Sequence, residues 1–491
     1  MDALSETLRV VRLVGAIFIN ARLAAISLAT EPIGSRSRTL RYGPHLGAPR
    51  RTLLRVLIAA LLLCVAAGAR AAQPLERELP PGLQIPAAAQ TGPGFNVDAA
   101  TEAYLALLSP EQRRLSDRYF EGGYWLQLWG LLWTVGACVL LLVTGVSRRL
   151  GGWSRRISAR NWLSTPIYIA VLLIALALLE FPLSVYSDFL REHHYGLSEQ
   201  PFAAWFGDQA IVLGVDVLVG AIVLSLIYAA VRRSGSRWWL WATGLSFVFL
   251  LIAQLVAPVY FLPLLNDYKP LPEGPVHDAV LSLARANGVP TRHVEWFDAS
   301  KQTTRVSANV AGLLGTTRIA LNDNLLNKTS LPEIKAVLGH EMGHFVLNHA
   351  WKLPILFTLV IGIAMLLLGV GMDGALARWG GRLGLSDRTD PAALPVAIAV
   401  FSIIFFVLTP LQNLVVRTCE EEADAFGLNA AREPYGAAMA AMRVSTYRKL
   451  RPGRIEEFVF YDHPSGYERV HRAMIWLREN QAMVTAAGTN R

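Results

Sequence analysis

Six stretches of about twenty predominantly apolar residues dominate this chain, and each is long enough to cross a ~30 Å hydrocarbon core as a helix. They run approximately from Tyr124 to Val146, Ser164 to Tyr186, Ala210 to Val231, Trp238 to Tyr260, Leu353 to Met372 and Leu394 to Val416. Trp125, Tyr186, Trp238, Trp239, Tyr260 and Trp351 sit at their ends, where aromatic side chains meet the lipid headgroups. Only 17% of the 491 residues are charged, against roughly 25% in soluble domains, and a soluble protein does not pool its apolar residues into runs of this length. Such a chain folds as a polytopic helical bundle. The span interiors offer chiefly Glu180 and Asp216 as ionisable groups, thin support for a transporter, which needs ionisable or broken-helix features within its spans.

The net charge of +9 does not imply a nucleic-acid partner, because Arg collects in short loops beside the apolar runs, where it signals topology. The loop 147–162 carries Arg148, Arg149, Arg155, Arg156 and Arg160, and the loop after the third run carries Arg232, Arg233 and Arg237. Both are expected on the cytoplasmic face. Between them, 187–209 holds Asp188, Glu192, Glu199 and Asp208 against Arg191 alone. The alternation then puts 73–122, 261–352 and the tail from 417 in the periplasm, and 373–393, whose three Arg and three Asp cancel, in the cytoplasm. Only six of the 46 basic residues are Lys, which suggests a GC-rich bacterial genome and hence a multi-pass protein of a bacterial inner membrane. Near the N-terminus, Arg50, Arg51 and Arg55 precede the short apolar run Val56 to Gly68 and then Ala69-Arg70-Ala71. That is the layout of a secretory signal peptide, or of an uncleaved first span. Cys64, Cys138 and Cys419 have no paired or metal-type spacing.

The segment 261–352 is the first long polar stretch after a span. Glu273 to Asn287 reads as a helix closed by Gly288, Val294 to Phe297 and Arg318 to Leu321 as short strands, and Val306 to Leu314 as an extended segment between them. Ser330-Leu331-Pro332-Glu333 is a capping box that opens a helix over Leu331 to His349. This helix contains His340-Glu341-Met342-Gly343-His344, an H-E-x-x-H motif. Residues four apart share one helical face, so His340 and His344 can offer two imidazole nitrogens to one ion. Glu341, about 100° round the helix, can reach a water at that ion without being a ligand. A catalytic zinc site needs three protein ligands and one open position. Just past the last run, Cys419-Glu420-Glu421-Glu422-Ala423-Asp424 presents three consecutive carboxylates, any of which could be the third. His349 as a further protein ligand would close the open position, so it reads as structural.

H-E-M-G-H, then E-E-E-A-D-A-F, then His463-Pro464 with Glu468-Arg469 resemble the M48 family of integral-membrane zinc metalloproteases, in particular its CAAX prenyl protease (Ste24) branch rather than the shorter HtpX type. Phe181-Pro182 to Asp208, Ala257-Pro258 with Pro270 to Gly274, and Asp298 to Lys301 with Ser307 to Val310 are similar to further segments of that branch, so the resemblance covers about 120–475. It implies a mostly α fold: a membrane helical bundle of six to seven spans forming a chamber, with a zincin-type α+β metalloprotease domain split around the last two spans. It also implies one Zn2+ per chain, held by His340, His344 and Glu420, the last being the carboxylate four residues before Asp424. By the same resemblance Asp424 orients a ligand histidine, Glu341 polarises the zinc-bound water, and His463 and Arg469 stabilise the tetrahedral oxyanion. Val306 to Leu314 is expected to be an edge strand to which an extended substrate adds, with Asn309 as its contact.

Two departures stand out. Eukaryotic members carry the catalytic domain in the cytosol, whereas the Arg distribution here points to the periplasm. Glu421 and Glu422 replace what are usually an aromatic residue and a Gln, adding two negative charges near the metal. The domain order expected is 1–52 an extension, disordered or untranslated; 53–72 a signal peptide or first span; 73–122 an extracytoplasmic segment; 123–260 a four-span bundle; 261–352 the H-E-x-x-H portion of the catalytic domain; 353–416 two further spans; and 417–491 the portion of that domain bearing the third ligand. The expected partners are the bilayer and a peptide or protein substrate in extended form, drawn from membrane-associated or exported proteins, since a bacterial host is not expected to farnesylate its own. The alternative is an inactive scaffold or chaperone retaining a zinc site, against which stand an intact Glu341 and three ligands.

Overall fold

The computed structural model describes residues 79–291, 293–312 and 317–489; the expected extension and the signal-like segment lie outside the described residues. A short helix, α1 (Val97–Leu105), leads into α2 (Pro110–Val143), followed by α3 (Val146–Ile157), α4 (Asn161–Ser184), α5 (Arg191–His194), α6 (Phe202–Ser234) and α7 (Trp238–Val256). Then come β1 (Tyr268–Pro270), α8 (Pro275–Ala286), β2 (Val294–Phe297), β3 (Ala308–Ala311), β4 (Arg318–Asn322), α9 (Asp323–Lys328), α10 (Leu331–Val346) and α11 (His349–Leu383). The chain closes with α12 (Leu394–Val407), α13 (Thr409–Ala431), α14 (Pro434–Val444), α15 (Arg454–Phe460), α16 (Gly466–Glu479) and α17 (Gln481–Thr489).

All six apolar runs lie on helices. Four continuous segments are long and apolar enough to cross a membrane: Pro110–Val143, Asn161–His194, Phe202–Leu264 and His349–Leu383. The third holds two of the runs, α6 and α7, which a 3-10 turn at Gly235–Arg237 folds against each other. The last run departs from the single straight span expected: α12 and α13 meet at a 55° bend. Its cause is Pro410, which has no N–H to continue the helical ladder, and the Gln412 side chain instead donates to the Phe405 carbonyl at 2.7 Å. The apolar half thus stays in the bundle while the acidic half of α13 turns towards the H-E-x-x-H helix.

Two ends of the bundle can be told apart. At one end the Arg-rich α3 packs against 391–393, with Ser147 Oγ donating to Ala392 O at 2.6 Å, and Arg388 reaches the Gly235 carbonyl. At the other, the acidic loop 195–208 joins the polar segment: Ser198 Oγ donates to Gln302 O at 2.7 Å, and Gln302 Nε2 to Asp208 at 2.9 Å. At about 51 Å for 34 residues, α2 is longer than a bilayer core is thick. Its N-terminal half, begun by a Ser109–Gln112 capping box, therefore projects at this second end, where Ser116 Oγ donates to the carbonyls of Ser445 and Arg448.

The sheet has the order β1-β2-β4-β3, with β2 parallel to β4 and the outer pairings antiparallel. Its β3 is an edge strand, and Asn309 sits opposite Ala320. One apolar core lies between this sheet, α8 and α10, through Val280, Ile319, Leu321, Leu338 and Met342. Another joins α1 to α14 and α16 through Tyr104, Met439, Met442 and Met474. The two are tied by Arg443, buried on α14, whose Nε meets Glu333 Oε1 at 2.5 Å and whose other nitrogens reach the carbonyls of Leu79, Pro80 and Gly82. Glu333 also accepts from the Ser330 N–H at 2.8 Å, the expected start of α10. The expected helix to His349 stops earlier, at Val346: Asn348 adopts φ +56° and His349 begins α11.

Candidate metal centre and active site

The site is built where α10 crosses α13, and the crossing is unusually close because both helices present small residues. A Cβ on Gly343 would lie 3.0 Å from Ala423 Cα, and one on Gly427 would lie 2.7 Å from His340 N. Gly339, one turn before Gly343, faces Gly427 O in the same way at 3.0 Å. The backbones therefore touch, and the side chains flanking this seam converge.

His340 Nε2 and His344 Nε2 lie 3.1 Å apart, and Glu420 comes within 3.3 Å of the first and 3.6 Å of the second. One ligand atom from each of these three residues lies within 4.8 Å of the others. His340 Nδ1 is 2.8 Å from Asp424 Oδ1; the proton belongs on that nitrogen, so Nε2 presents a lone pair to the triad. Glu420 Oε1 is buried without a hydrogen bond. Two imidazole nitrogens turned on each other beside an unsatisfied carboxylate oxygen are an arrangement that a cation completes, and the donor set fits a divalent metal.

Around the triad, Arg469 Nε pairs with Asp424 Oδ2 at 2.9 Å and its Nη2 with Glu420 Oε2 at 3.0 Å. Burial alone would lower the Arg469 guanidinium, but the Asp424 and Glu420 carboxylates outweigh it and raise it further. Arg469, expected to stabilise the oxyanion, is thus paired with both of these carboxylates. His463 is fully buried, with Nδ1 2.8 Å from Asp462 Oδ1 and Nε2 3.3 Å from Glu420 Oε2 but without a hydrogen bond. Glu341 is 2% exposed. Burial depresses His340, yet the Asp424 hydrogen bond and Glu420 together hold it above the usual histidine value, whereas burial pushes His344 well below it. Asn309 is buried on the edge strand with its side-chain oxygen unpaired.

Glu421 and Glu422 do not add bare negative charge. Glu421 lies 3.5 Å from Arg472, and Glu422 meets Lys352 Nζ at 2.6 Å and His349 Nε2 at 2.9 Å. Sequence reasoning missed these pairings and the small-residue seam. The only signal for the seam was the matching four-residue spacing of Gly339 with Gly343 and of Ala423 with Gly427.

A membrane bundle carrying a capped H-E-x-x-H helix, whose histidines meet a glutamate from the end of a broken span, defines an integral-membrane metalloprotease. The sequence matches Peptidase family M48 over residues 270–476 and the family described as CAAX prenyl protease N-terminal, five membrane helices, over residues 99–267. It is 29% identical over 379 residues to the uncharacterized metalloprotease YhfN of Bacillus subtilis, across 75% of this chain and 87% of that one. It is 27% identical over 309 residues to CAAX prenyl protease 1 of Saccharomyces cerevisiae, across 60% of this chain and 68% of that one. The crystal structure of S. mikatae Ste24p has the same fold, with a TM-score of 0.56 at 21% identity over 88% of this chain and 100% of that one. The chain belongs to peptidase family M48.

Proposed function

We propose that this endopeptidase holds one zinc ion per chain on His340, His344 and Glu420 and cuts peptide bonds of membrane-associated or exported proteins. The observation that carries the reading is the convergence of two imidazoles on one carboxylate whose Oε1 is buried without a hydrogen bond, a set that leaves a fourth position open. When bound there, zinc supplies a Lewis acid that lowers the pKa of a water towards ~7 and polarises the scissile carbonyl. Glu341 takes the proton of the attacking water and returns it to the leaving amine. Asp424 fixes the tautomer of His340 by accepting from Nδ1–H. Arg469 holds Asp424 and Glu420 in register with each other. His463 in its imidazolium form keeps one proton on Nδ1 for Asp462 and one on Nε2, which has no hydrogen-bond partner and donates to the developing oxyanion, a contribution of about 3 kcal/mol in comparable sites. The edge strand β3 takes the substrate backbone, with Asn309 as its side-chain contact.

The proposed domain order has a four-span bundle at 123–260 and two further spans at 353–416, with the catalytic segments 261–352 and 417–491 meeting beyond one end of the bundle. Supporting this, the Arg-rich α3 packs at the end away from the polar segment. By the positive-inside rule that end is cytoplasmic, which puts the active site on the periplasmic side of a bacterial inner membrane.

The test is cleavage of an unstructured peptide library by the full chain in detergent, with half of the cysteine-containing peptides farnesylated. Wild-type protein is expected to cut in a chelator-sensitive way without requiring the farnesyl group. Glu341→Gln should keep zinc and lose cutting, while His340→Ala should lose both. An active Glu341→Gln protein would sink the mechanism, and cutting confined to farnesylated peptides would overturn the proposed substrate class.

A further inference from the structure

We propose that His349 and Glu422 are positioning residues for the metal, forming a relay Glu422–His349–His344 that fixes the tautomer of His344 as Asp424 fixes that of His340. This rests on the reading of His340, His344 and Glu420 as the metal ligands. An imidazole that gives its Nε2 lone pair to a cation carries its proton on Nδ1. His344 Nδ1 faces His349 Nδ1 at 2.8 Å, and two N–H groups cannot point at each other over that distance. So His344 donates, His349 Nδ1 accepts, and the His349 proton sits on Nε2. That nitrogen lies 2.9 Å from Glu422 Oε2, which accepts it. Glu422 is held in turn by Lys352, whose Nζ is 2.6 Å from both carboxylate oxygens. Every proton along the chain then has one place.

The backbone is arranged to make this contact. On an unbroken helix the residue five beyond His344 would lie about 140° round from it, out of reach. Asn348 interrupts the helix at φ +56°, a conformation Asn tolerates better than most non-glycine residues, and the turn brings His349, only 1% exposed, back onto His344. Lys352 then follows one turn along α11, while Glu422 stands two residues past Glu420 on α13. His349, Cys419 and Glu422 also lie close enough to hold a cation of their own. Against that use, His349 Nε2 is the only ring nitrogen left for such an ion and the relay places a proton on it. Lys352 moreover sets a positive charge against both Glu422 oxygens.

The experiment is a zinc titration of the metal-free full chain in detergent, by competition with a chelating dye, together with the visible spectrum of the cobalt-loaded protein. Zinc binding by the wild type tests the underlying site; the relay is read from the ratio of each variant to wild type, so the two can fail separately. His349→Phe, which fills the space without a hydrogen bond, is expected to weaken zinc about 10–100-fold and to shift the cobalt bands. Glu422→Gln, at a partly exposed position that the fold tolerates, should weaken zinc in the same direction by less. His349→Gln, whose amide can accept from His344 and donate to Glu422, should restore most of the affinity, and Glu421→Gln should change nothing. His349→Phe and Glu422→Gln both binding zinc within about threefold of wild type, well inside the loss expected of such partners, would overturn the proposal. So would two zinc ions per wild-type chain with one lost in Cys419→Ala, which would make the cluster a second metal site.

Discussion

Replacing Gly427 with Ala should separate the two helices that carry the metal ligands. The added Cβ would lie 2.7 Å from His340 N, 3.0 Å from His340 Cα and 3.1 Å from Gly339 C. Carbon contacts are comfortable at about 3.5–4.0 Å, so α10 and α13 must part by roughly 0.8–1 Å, and backbone atoms offer no rotamer that could yield instead. Glu420 lies seven residues earlier on the same face of α13, so its carboxylate retreats from His340 and His344 with the helix. Metal–ligand distances tolerate only about ±0.2 Å, a fraction of that displacement. The zinc complex must therefore force the helices together against an overpacking strain of about 1–3 kcal/mol, which corresponds to roughly 5–150-fold weaker zinc. The assay is chelator competition on the full chain, with Gly152→Ala as control, since a Cβ there meets nothing within 4 Å. Wild-type zinc affinity and cleavage in Gly427→Ala would refute the argument that the small-residue seam sets the ligand geometry.

His463→Ala should lower kcat by about 10²–10³ with zinc content unchanged, as read by steady-state cleavage and metal analysis; a loss of zinc instead would make His463 part of the metal scaffold. Zinc affinity should fall with acid, and begin to fall on the alkaline side of the ordinary histidine range. His340 in the metal-free fold is held above the usual value by Asp424 and Glu420, so its proton stabilises that fold at low pH, the stabilisation is lost as pH rises through the folded value, and the same proton competes with zinc. Chelator competition across pH checks this, and an affinity flat through that range would contradict it.

Much of the membrane architecture was legible because hydropathy depends on length and composition alone, and the H-E-x-x-H helix announced itself through the Ser330–Glu333 start and the His340–His344 spacing. The choice of Glu420 among three carboxylates came from the family resemblance, since nothing in periodicity separates it from Glu421 and Glu422. The break after Leu408 was hidden because Leu394 to Val416 carries no charged residue and is apolar on both sides of Thr409 to Asn413, and a Pro in a membrane helix can be accommodated without breaking it. Asn348 escaped notice for a related reason: a single residue at positive φ leaves no pattern, yet it decides where His349 points. The charges of Glu421 and Glu422 could not be weighed from sequence, because Arg472 and Lys352 reach them from other helices.

The most direct test of the metal site is X-ray absorption at the zinc edge on the purified full chain. The account predicts a coordination sphere of two imidazole nitrogens and oxygen donors at about 2.0–2.2 Å, with the imidazole signal lost in His340→Ala. A sulfur scatterer at about 2.3 Å, which only a cysteine such as Cys419 beside His349 could supply, would contradict it.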